Sequence, residues 1–248
     1  MMLLLYILVG VAAAFLAGVW FLRNVWFHRD PAHVVDQADG TIRSPVYGRV
    51  AYIRQVSGGV VVSEKLGEEI RISDITKDDW PNAGSESSAV LPEAGNGDGW
   101  IIGVAMTPLD VHFQYAPIPG TMGKIVHHQH GRNLPMFDFW EYFRITWLRK
   151  HVQLWAKKYV FENERQTMWL QGARARIALI LIADKFVSKI STFVKEGDSV
   201  ESGGKLSFIA RGSQVDVLIC GQPDLEVLVR EGDPANGPNT VLARIPAP

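Results

Sequence analysis

ARGSQVDV, residues 210–217, opens a predicted β-strand on the pair Gly212-Ser213 near the end of the chain. Successive side chains of a strand point to opposite faces, so Asp216 is expected on the face opposite Ser213. A glycine before a serine leaves the backbone free to adopt strained conformations that other residues avoid. The stretch therefore indicates a strand that begins with an unusual backbone conformation. The surrounding sequence indicates the kind of fold to which that strand belongs.

Two segments near this strand carry the same turn signal. Residues 194–209 place Gly197-Asp198 at a tight turn and a second glycine before the exiting strand. Residues 229–245 repeat the pattern at Gly232-Asp233. This is the hammerhead pattern of biotinyl and lipoyl carrier domains, a common β-architecture that says little about chemistry.

The N-terminus predicts a membrane anchor. Residues 1–22 carry no charge, and a helix of that length would be ~33 Å long, enough to cross a hydrocarbon core of ~30 Å. A cleavable signal peptide fits poorly, because no positive region precedes the apolar run. Trp20, Trp26 and Phe27 stand where an interfacial aromatic belt is expected. Arg23 and Arg29 follow the helix, and the positive-inside rule then places residues 23–248 on the cytoplasmic side.

The remaining sequence adds a loop and a helix to the strands. The polar segment 77–99 predicts either a mobile loop or a long hairpin tip. In 139–160, aromatic and aliphatic residues recur at a helical period with basic residues between them. This helix either packs on the core or lies at a membrane surface with its basic side chains on anionic lipid. The expected fold is mainly β (α+β): a β-sandwich or barrel-like body with hammerhead-type hairpins, an N-terminal transmembrane helix and one amphipathic helix.

Composition excludes several classes of protein. The chain has 248 residues, 47% of them hydrophobic and 21% charged, so it can bury a core. Its net charge of -1 argues against nucleic acid as a partner. One cysteine, Cys220, can form neither a disulfide framework nor a cysteine-based zinc site. His127, His128 and His130 match no zinc spacing and are interpreted as loop residues, so no metal is expected.

Five motifs lie in one order along the chain and carry a resemblance. They resemble those of the short, membrane-anchored members of the phosphatidylserine decarboxylase family. The motifs are Phe27-His28-Arg29-Asp30-Pro31, Ser44-Pro45-Val46-Tyr47-Gly48-Arg49-Val50, Met106 to His112 followed by Ala116-Pro117 and Gly120, Asn163-Glu164-Arg165, and Arg211-Gly212-Ser213-Gln214-Val215-Asp216.

The resemblance implies a self-processing lipid enzyme. It implies cleavage between Gly212 and Ser213, which yields chains 1–212 and 213–248 and converts Ser213 into a covalent pyruvoyl cofactor. That carbonyl serves as the electron sink when CO2 leaves the substrate. The implied substrate is a serine phospholipid, converted from phosphatidylserine to phosphatidylethanolamine, and the implied partner is the membrane. The oligomeric state stays open, a homo-oligomer included.

The resemblance also implies roles for single residues. His112 matches a family histidine that transfers protons during decarboxylation or self-cleavage, work that suits an imidazole. Asp216 is a further candidate for the site. Tyr47 stands where the family has an aspartate, and tyrosine is a poor base at neutral pH. Either His112 suffices without the aspartate, alone or with help from another carboxylate, or the chain processes slowly or not at all.

Two alternatives to the decarboxylase remain at this stage. A non-processing member would be a β-scaffold at the membrane with an intact Ser213, and Tyr47 is its main support. A membrane-fusion adaptor also joins an N-terminal anchor to a hammerhead domain. It needs a long heptad hairpin between the hammerhead halves, however, and this sequence has no such heptad run.

Overall fold

The computed structural model describes most of the chain. The described residues are 2–38, 40–62, 69–78, 97–129, 131, 133–155, 157–185, 190–209 and 213–246. Gly212 and residues 79–96 of the predicted loop lie outside these ranges.

The body is built from antiparallel strands, as the sequence predicts. Within the described ranges the strands are β1 (Thr41–Arg43), β2 (Tyr47–Val56), β3 (Val60–Val62), β4 (Glu69–Arg71), β5 (Gly99–Met106), β6 (Phe113–Tyr115), β7 (Gly120–His128), β8 (Arg165–Gln171), β9 (Arg176–Ala183), β10 (Ile190–Thr192), β11 (Ser199–Val200), β12 (Lys205–Ile209), β13 (Ser213–Cys220), β14 (Glu226–Val227), β15 (Pro234–Asn236) and β16 (Val241–Arg244).

Eight strands form the main sheet, in the order β11-β7-β8-β9-β13-β5-β2-β15, and this sheet curls into a half-barrel. β13 lies at its centre and pairs along its whole length with β5 and β9. One hydrophobic core includes Val215 and Val217, and a second includes Leu218. Because side chains alternate along a strand, the two cores lie on opposite faces of the sheet.

Smaller sheets accompany the main one, in the orders β1-β16-β14, β10-β12-β6 and β3-β4. Both predicted Gly-Asp turns form, with left-handed glycines at Gly197 (φ 90°) and Gly232 (φ 92°). In each turn the aspartate side chain accepts a hydrogen bond from the backbone three residues earlier, 2.7 Å at Asp198 and 2.8 Å at Asp233. The hammerhead arrangement of the strands that follow these turns stays a prediction.

The N-terminal helix α1 spans Met2–Phe21 and continues as a π-helical turn over Leu22–Trp26. No residue of α1 is buried. With a mean hydropathy of 2.5 over its best window, it is the one helix in the described ranges that is long and apolar enough to cross a membrane. Three short helices follow in the body: α2 (Ile72–Thr76), α3 (Phe139–Thr146) and α4 (Tyr159–Glu162).

Two local predictions are wrong. The helix predicted over 139–160 ends at Thr146, because Arg149 adopts a left-handed backbone (φ 51°) and the chain turns to bury Leu154 in the second core. Packing on the sheet thus outweighs the helical period of the sequence. His127 and His128, predicted in a loop, lie in β7, where they pair with Gln166 and Arg165 of β8. His130 lies outside the described ranges.

Candidate active site

Ser213 is the first residue of β13 and is fully buried. Its backbone lies opposite Met106 of β5 and Ala183 of β9, and its Oγ donates to the Met106 Sδ at 3.3 Å. The preceding strand β12 ends at Ile209, whose N–H donates to the His112 carbonyl at 3.2 Å. Ile209 and Ser213, the described residues on either side of 210–212, therefore contact His112 and Met106 respectively.

His112 is a buried histidine with one unused ring nitrogen. Its Nδ1 lies 2.8 Å from the Asp110 carbonyl, which can only accept, so Nδ1 carries the proton. Nε2 is then an unprotonated acceptor, and it has no hydrogen-bond partner among the described residues. The pKa of His112 is lowered from 6.5 to about 3, chiefly by burial; the charges of Arg29 and His28 act in the same direction, and the bond to Asp110 opposes them. His112 is therefore a neutral base at pH 7.

The turn before His112 is closed by Asp110. The Asp110 Oδ2 accepts from the backbone N–H and the hydroxyl of Thr107, at 2.8 and 2.7 Å. Its Oδ1 accepts from the Arg149 guanidinium at 3.2 Å. These bonds fix the path from β5 into the loop, and so they fix where the His112 ring stands.

The end of the apolar helix lies directly on this turn. The Trp26 indole donates to the Leu109 carbonyl at 3.1 Å, and the Arg29 guanidinium donates to the same oxygen at 2.6 Å. Phe27 stacks on the His112 ring, with centroids 3.9 Å apart and planes at 29°. Phe27, expected in an aromatic belt, is instead buried, because its ring packs on those of His112 and Phe208.

Tyr47 stands at the start of β2 with a buried hydroxyl that has no partner among the described residues. Burial raises the pKa of Tyr47, the charge of Asp30 raises it further, and that of Arg29 opposes both. Tyr47 is therefore a neutral phenol. Asp30 accepts from the Tyr115 hydroxyl at 2.6 Å and pairs with Lys205. Burial alone would raise the pKa of Asp30, but these two bonds hold it below 3.8.

Asp216 lies on the other face of β13, as the strand period predicts. The Tyr52 hydroxyl donates to its Oδ2 at 2.6 Å, and the Gln214 amide donates to its Oδ1 at 2.7 Å. The Tyr159 hydroxyl donates to Gln214 at 2.7 Å and completes the buried network. Burial raises the pKa of Asp216 from 3.8 to about 7, against the two hydrogen bonds and the charge of Arg165, which lower it.

The remaining candidates form no second site. Arg165 is fully buried and donates to the carbonyls of Ile75, Val160 and Asn163, so it pairs internally. Cys220 is a buried free thiol. Across the ranges that the structure describes, no group of three or more His, Cys, Asp and Glu residues could hold a metal ion.

A family model described as phosphatidylserine decarboxylase matches residues 20–243, nearly the whole chain. The chain belongs to the phosphatidylserine decarboxylase family. Membership in this family carries carboxy-lyase chemistry and leaves the membrane-fusion adaptor without support.

Curated relatives in the phosphatidylserine decarboxylase family cover most of the chain at modest identity. A candidate archaetidylserine decarboxylase proenzyme of Methanothermobacter thermautotrophicus is 26% identical over 218 residues, which are 88% of this chain and 78% of the relative. One of Methanocaldococcus jannaschii is 26% identical over 222 residues, 90% of this chain and 89% of the relative. The phosphatidylserine decarboxylase proenzyme of Neisseria meningitidis serogroup C is 25% identical over 249 residues, 96% of this chain and 73% of the relative.

This member of the phosphatidylserine decarboxylase family gathers only some of its predicted site residues. His112 bonds to Ile209, the last described residue before Ser213, and Tyr47 lies near Arg29, which also acts on His112. Asp216 faces away from Ser213 across the sheet. Gly212 lies outside the described ranges.

Sequence reasoning missed three residues of this cluster. Phe27, Arg29 and Asp30 have no predicted role in the site, although all three stand in the motif 27–31. The sequence nevertheless carries a signal. A segment that only linked the anchor to the body would need neither an aromatic residue nor a carboxylate, so their presence in the motif indicates that the segment packs on the body. In the structure Phe27 stacks on His112 and Arg29 donates to the supporting turn, whereas Asp30 bonds to Tyr115 and acts on Tyr47 through its charge.

Proposed function

We propose that this chain is a pyruvoyl-dependent decarboxylase of a serine phospholipid, with phosphatidylserine or its archaeal counterpart as substrate. One observation carries the proposal beyond family membership: the apolar helix ends on the turn that holds His112, through Trp26 and Arg29. A lipid headgroup stays at the bilayer surface, so an enzyme that acts on it needs its reactive groups where its anchor leaves the membrane. Both named classes of relative share a serine headgroup, and the proposal rests on that shared chemistry.

Maturation would begin at Ser213. Its hydroxyl attacks the Gly212 carbonyl, and the amide bond becomes an ester as the proton leaves the oxygen. Elimination across Ser213 then breaks the ester and releases residues 1–212, and hydrolysis of the remaining dehydroalanine, with loss of ammonia, gives the pyruvoyl group. The Nε2 of His112 would accept that proton; the proposal is supported by its having no hydrogen-bond partner among the described residues. The bond that the Ser213 hydroxyl makes instead, to a methionine sulfur, is weak and is easily given up.

The surroundings of Ser213 fit the pyruvoyl group. Ser213 is buried at the first position of a strand that is paired on both sides, so residues 213–220 would stay in the sheet after cleavage. The group, once formed, supplies the electron-accepting carbonyl for the loss of CO2. His112 would then hold or return a proton next to it, and Phe27 would keep water away from the imidazole. The hammerhead-type hairpins would frame this strand from the outside.

Asp30 is our candidate for the carboxylate that Tyr47 does not supply. Tyr47, a neutral phenol with an unpaired hydroxyl, offers a hydrogen-bond donor where the family has a base. The charge of Asp30 acts on Tyr47 from the adjacent motif, and Tyr115 and Lys205 hold it in place. Asp30→Asn should therefore slow maturation, and Tyr47→Asp should speed it; an unchanged rate in Asp30→Asn would remove that residue from the proposal.

Intact-mass analysis with a carbonyl-reactive probe tests the proposal. The purified chain should give two species, 1–212 and 213–248, and only the smaller should react with the probe. Ser213→Ala should abolish cleavage, His112→Ala should slow it strongly, and Ser199→Ala, on the exposed strand β11, should process like the parent. A single full-length species after prolonged incubation would instead favour the non-processing scaffold.

The topology of the anchor is the second part of the proposal. Residues 1–22 would span the membrane and 23–248 would lie on the cytoplasmic side, as Arg23 and Arg29 indicate. Protease added to right-side-out vesicles should then leave the body intact, whereas inverted vesicles should lose it. Digestion in right-side-out vesicles would reverse the topology.

A further inference from the structure

The helix α3 and the turn after it expose a cluster of large apolar side chains. Phe139 is 78% exposed, Trp140 70% and Trp147 69%, and Phe143 and Leu148 add to the same surface. We call these five residues the aromatic patch. Scattered exposed apolar residues are ordinary, but Phe139, Trp140 and Phe143 lie side by side on α3, with ring centroids 5.7 and 6.4 Å apart, and such a contiguous surface usually has a partner.

The aromatic patch stands on a rigid support. Asp138 and Glu141 form a reciprocal capping box at the start of α3, with bonds of 2.8 and 3.0 Å. Glu141 also pairs with Lys157 at 2.6 Å, which ties the helix to the segment behind it. Ile145 is buried on the inner side. One face of the helix is thus fixed to the body, and the aromatic face is therefore turned toward solvent.

Positive charge surrounds the C-terminal end of the aromatic patch. Arg144, Arg149 and Lys150 are all exposed there. The sequence has no acidic residue between 142 and 150, and the one acidic side chain in the middle of α3, Glu141, is already paired. Aromatic side chains flanked by basic ones are the composition that binds the headgroup region of an anionic membrane.

The aromatic patch is connected to the end of α1 through one turn. Arg149, which follows the patch, donates to the Asp110 side chain at 3.2 Å. Trp26 and Arg29, which end the apolar helix, donate to Leu109 in the same turn. The proposed membrane anchor and the aromatic patch therefore flank the turn that carries His112, on the side of the body where the bilayer surface would lie.

We propose that the aromatic patch is a second membrane contact, which inserts into the headgroup region of anionic phospholipid beside the anchor. This inference rests on the proposed membrane insertion of α1. With two contacts the body cannot swing freely about α1, so the turn at His112 is held against the lipid surface. The function of the aromatic patch is thus orientation of the site toward its substrate.

Site-directed spin labelling of the full chain in vesicles tests this inference. Nitroxides are placed by Phe139→Cys in the aromatic patch, by Val11→Cys in α1 and by Asp224→Cys as the matched control. Asp224 is exposed, and its neighbour Pro223 bonds to Trp100, which lies ~20 Å along β5 from Met106. The native Cys220 is buried, and the unsubstituted chain gives its background. Collision rates with oxygen and with a water-soluble nickel chelate are measured in phosphatidylcholine vesicles with and without phosphatidylglycerol.

The expected result is a label at 139 that is shielded from the nickel chelate when phosphatidylglycerol is present, while the label at 224 stays in water. Removing two charges with Arg144→Gln and Lys150→Gln should lower the insertion equilibrium of the 139 label roughly thirtyfold, at about 1 kcal/mol per basic residue.

Three results would overturn the inference. If the label at position 139 is as exposed to water as the label at 224 while the label at 11 lies in lipid, the membrane anchor is supported and the second membrane contact is ruled out. An 11 label in water would remove both. Dipolar broadening between 139 labels that disappears on dilution with unlabelled protein would show that a second copy covers the aromatic patch.

Discussion

Two buried titratable groups, His112 in the candidate site and Asp216 on the opposite face of β13, should give the protein opposing pH dependences. His112 has its pKa lowered from 6.5 to about 3, so below pH 6.5 the unfolded chain binds a proton that the folded chain excludes. Its contribution to stability is present above pH 6.5 and is lost as the pH falls. Asp216 has its pKa raised from 3.8 to about 7, so above pH 3.8 the unfolded chain loses a proton that the folded chain retains. Its contribution is present at low pH and is lost as the pH rises toward 7.

The size of the expected effect follows from the width of the pH range in which both groups differ in protonation between the folded and the unfolded chain. Each group changes the free energy of unfolding by about 1.4 kcal/mol per pH unit while its folded and unfolded states differ in protonation. From about pH 4 to 6.5 both groups act, with opposite signs, and their contributions cancel. A variant that removes one of the two groups should therefore show the pH dependence of the other. Over those ~2.5 pH units that dependence amounts to about 3 kcal/mol in the free energy of unfolding.

His112→Asn and Asp216→Asn are the variants that test this. His112→Asn keeps a donor toward the Asp110 carbonyl, and its stability should fall relative to the parent as the pH rises from 4 to 6.5. Asp216→Asn keeps the shape of the carboxylate, and its stability should rise over the same range. Both are measured by urea unfolding in detergent micelles, followed by tryptophan fluorescence, in a Ser213→Ala background that keeps the chain intact.

The control and the refuting result are both read from the difference between the stability-versus-pH profile of a variant and that of the parent. His127→Asn removes a partly exposed histidine that pairs with Glu164 at the surface, and it should leave the profile close to that of the parent. All other titrating groups cancel when a variant is compared with the parent. Either His112→Asn or Asp216→Asn with a pH profile parallel to that of the parent would refute the reasoning for that group.

Three further substitutions probe the packing around the site. Gly103→Ala would place a Cβ 2.6 Å from the Tyr52 ring, so urea unfolding should show a loss of about 1–3 kcal/mol; an unchanged midpoint would contradict the close contact. Phe27→Ala should let water reach His112 and raise the pKa of the imidazole toward 6.5, read by NMR of labelled histidine, and a pKa that stays near 3 would show that Phe27 does not cause the burial. Arg165→Lys keeps the charge but cannot reach all three carbonyls, so the unfolding free energy should fall by about 3 kcal/mol, whereas a loss below 1 kcal/mol would mean that the carbonyls find other donors.

Local sequence determined the elements of this protein and the faces of its central strand. An uncharged run longer than a bilayer core predicted α1, and Gly-Asp pairs predicted the turns at 197 and 232. The strand period of two predicted that Asp216 and Ser213 lie on opposite faces, and both side chains lie on the expected faces. These features depend on residues within a few positions of one another, and the sequence displays such neighbours directly.

Contacts between distant segments were decided by the tertiary structure alone. Phe27 meets His112 across 85 positions, and Asp30 meets Tyr115 across 85 as well, because the chain leaves α1 and folds back over the end of β5. The period in 139–160 predicted a helix, but the space beside β2 favoured burying Leu154 in an irregular segment.

The pKa values of His112 and Asp216 also depend partly on the residue type and partly on the packing. Residue types alone assign His112 a value near neutral and Asp216 an acidic one. Burial between the sheet and its covering segments lowers the first to about 3 and raises the second to about 7. Sequence thus named the groups that can exchange protons, and only the packing, by removing water from them, decided which protonation state each one holds.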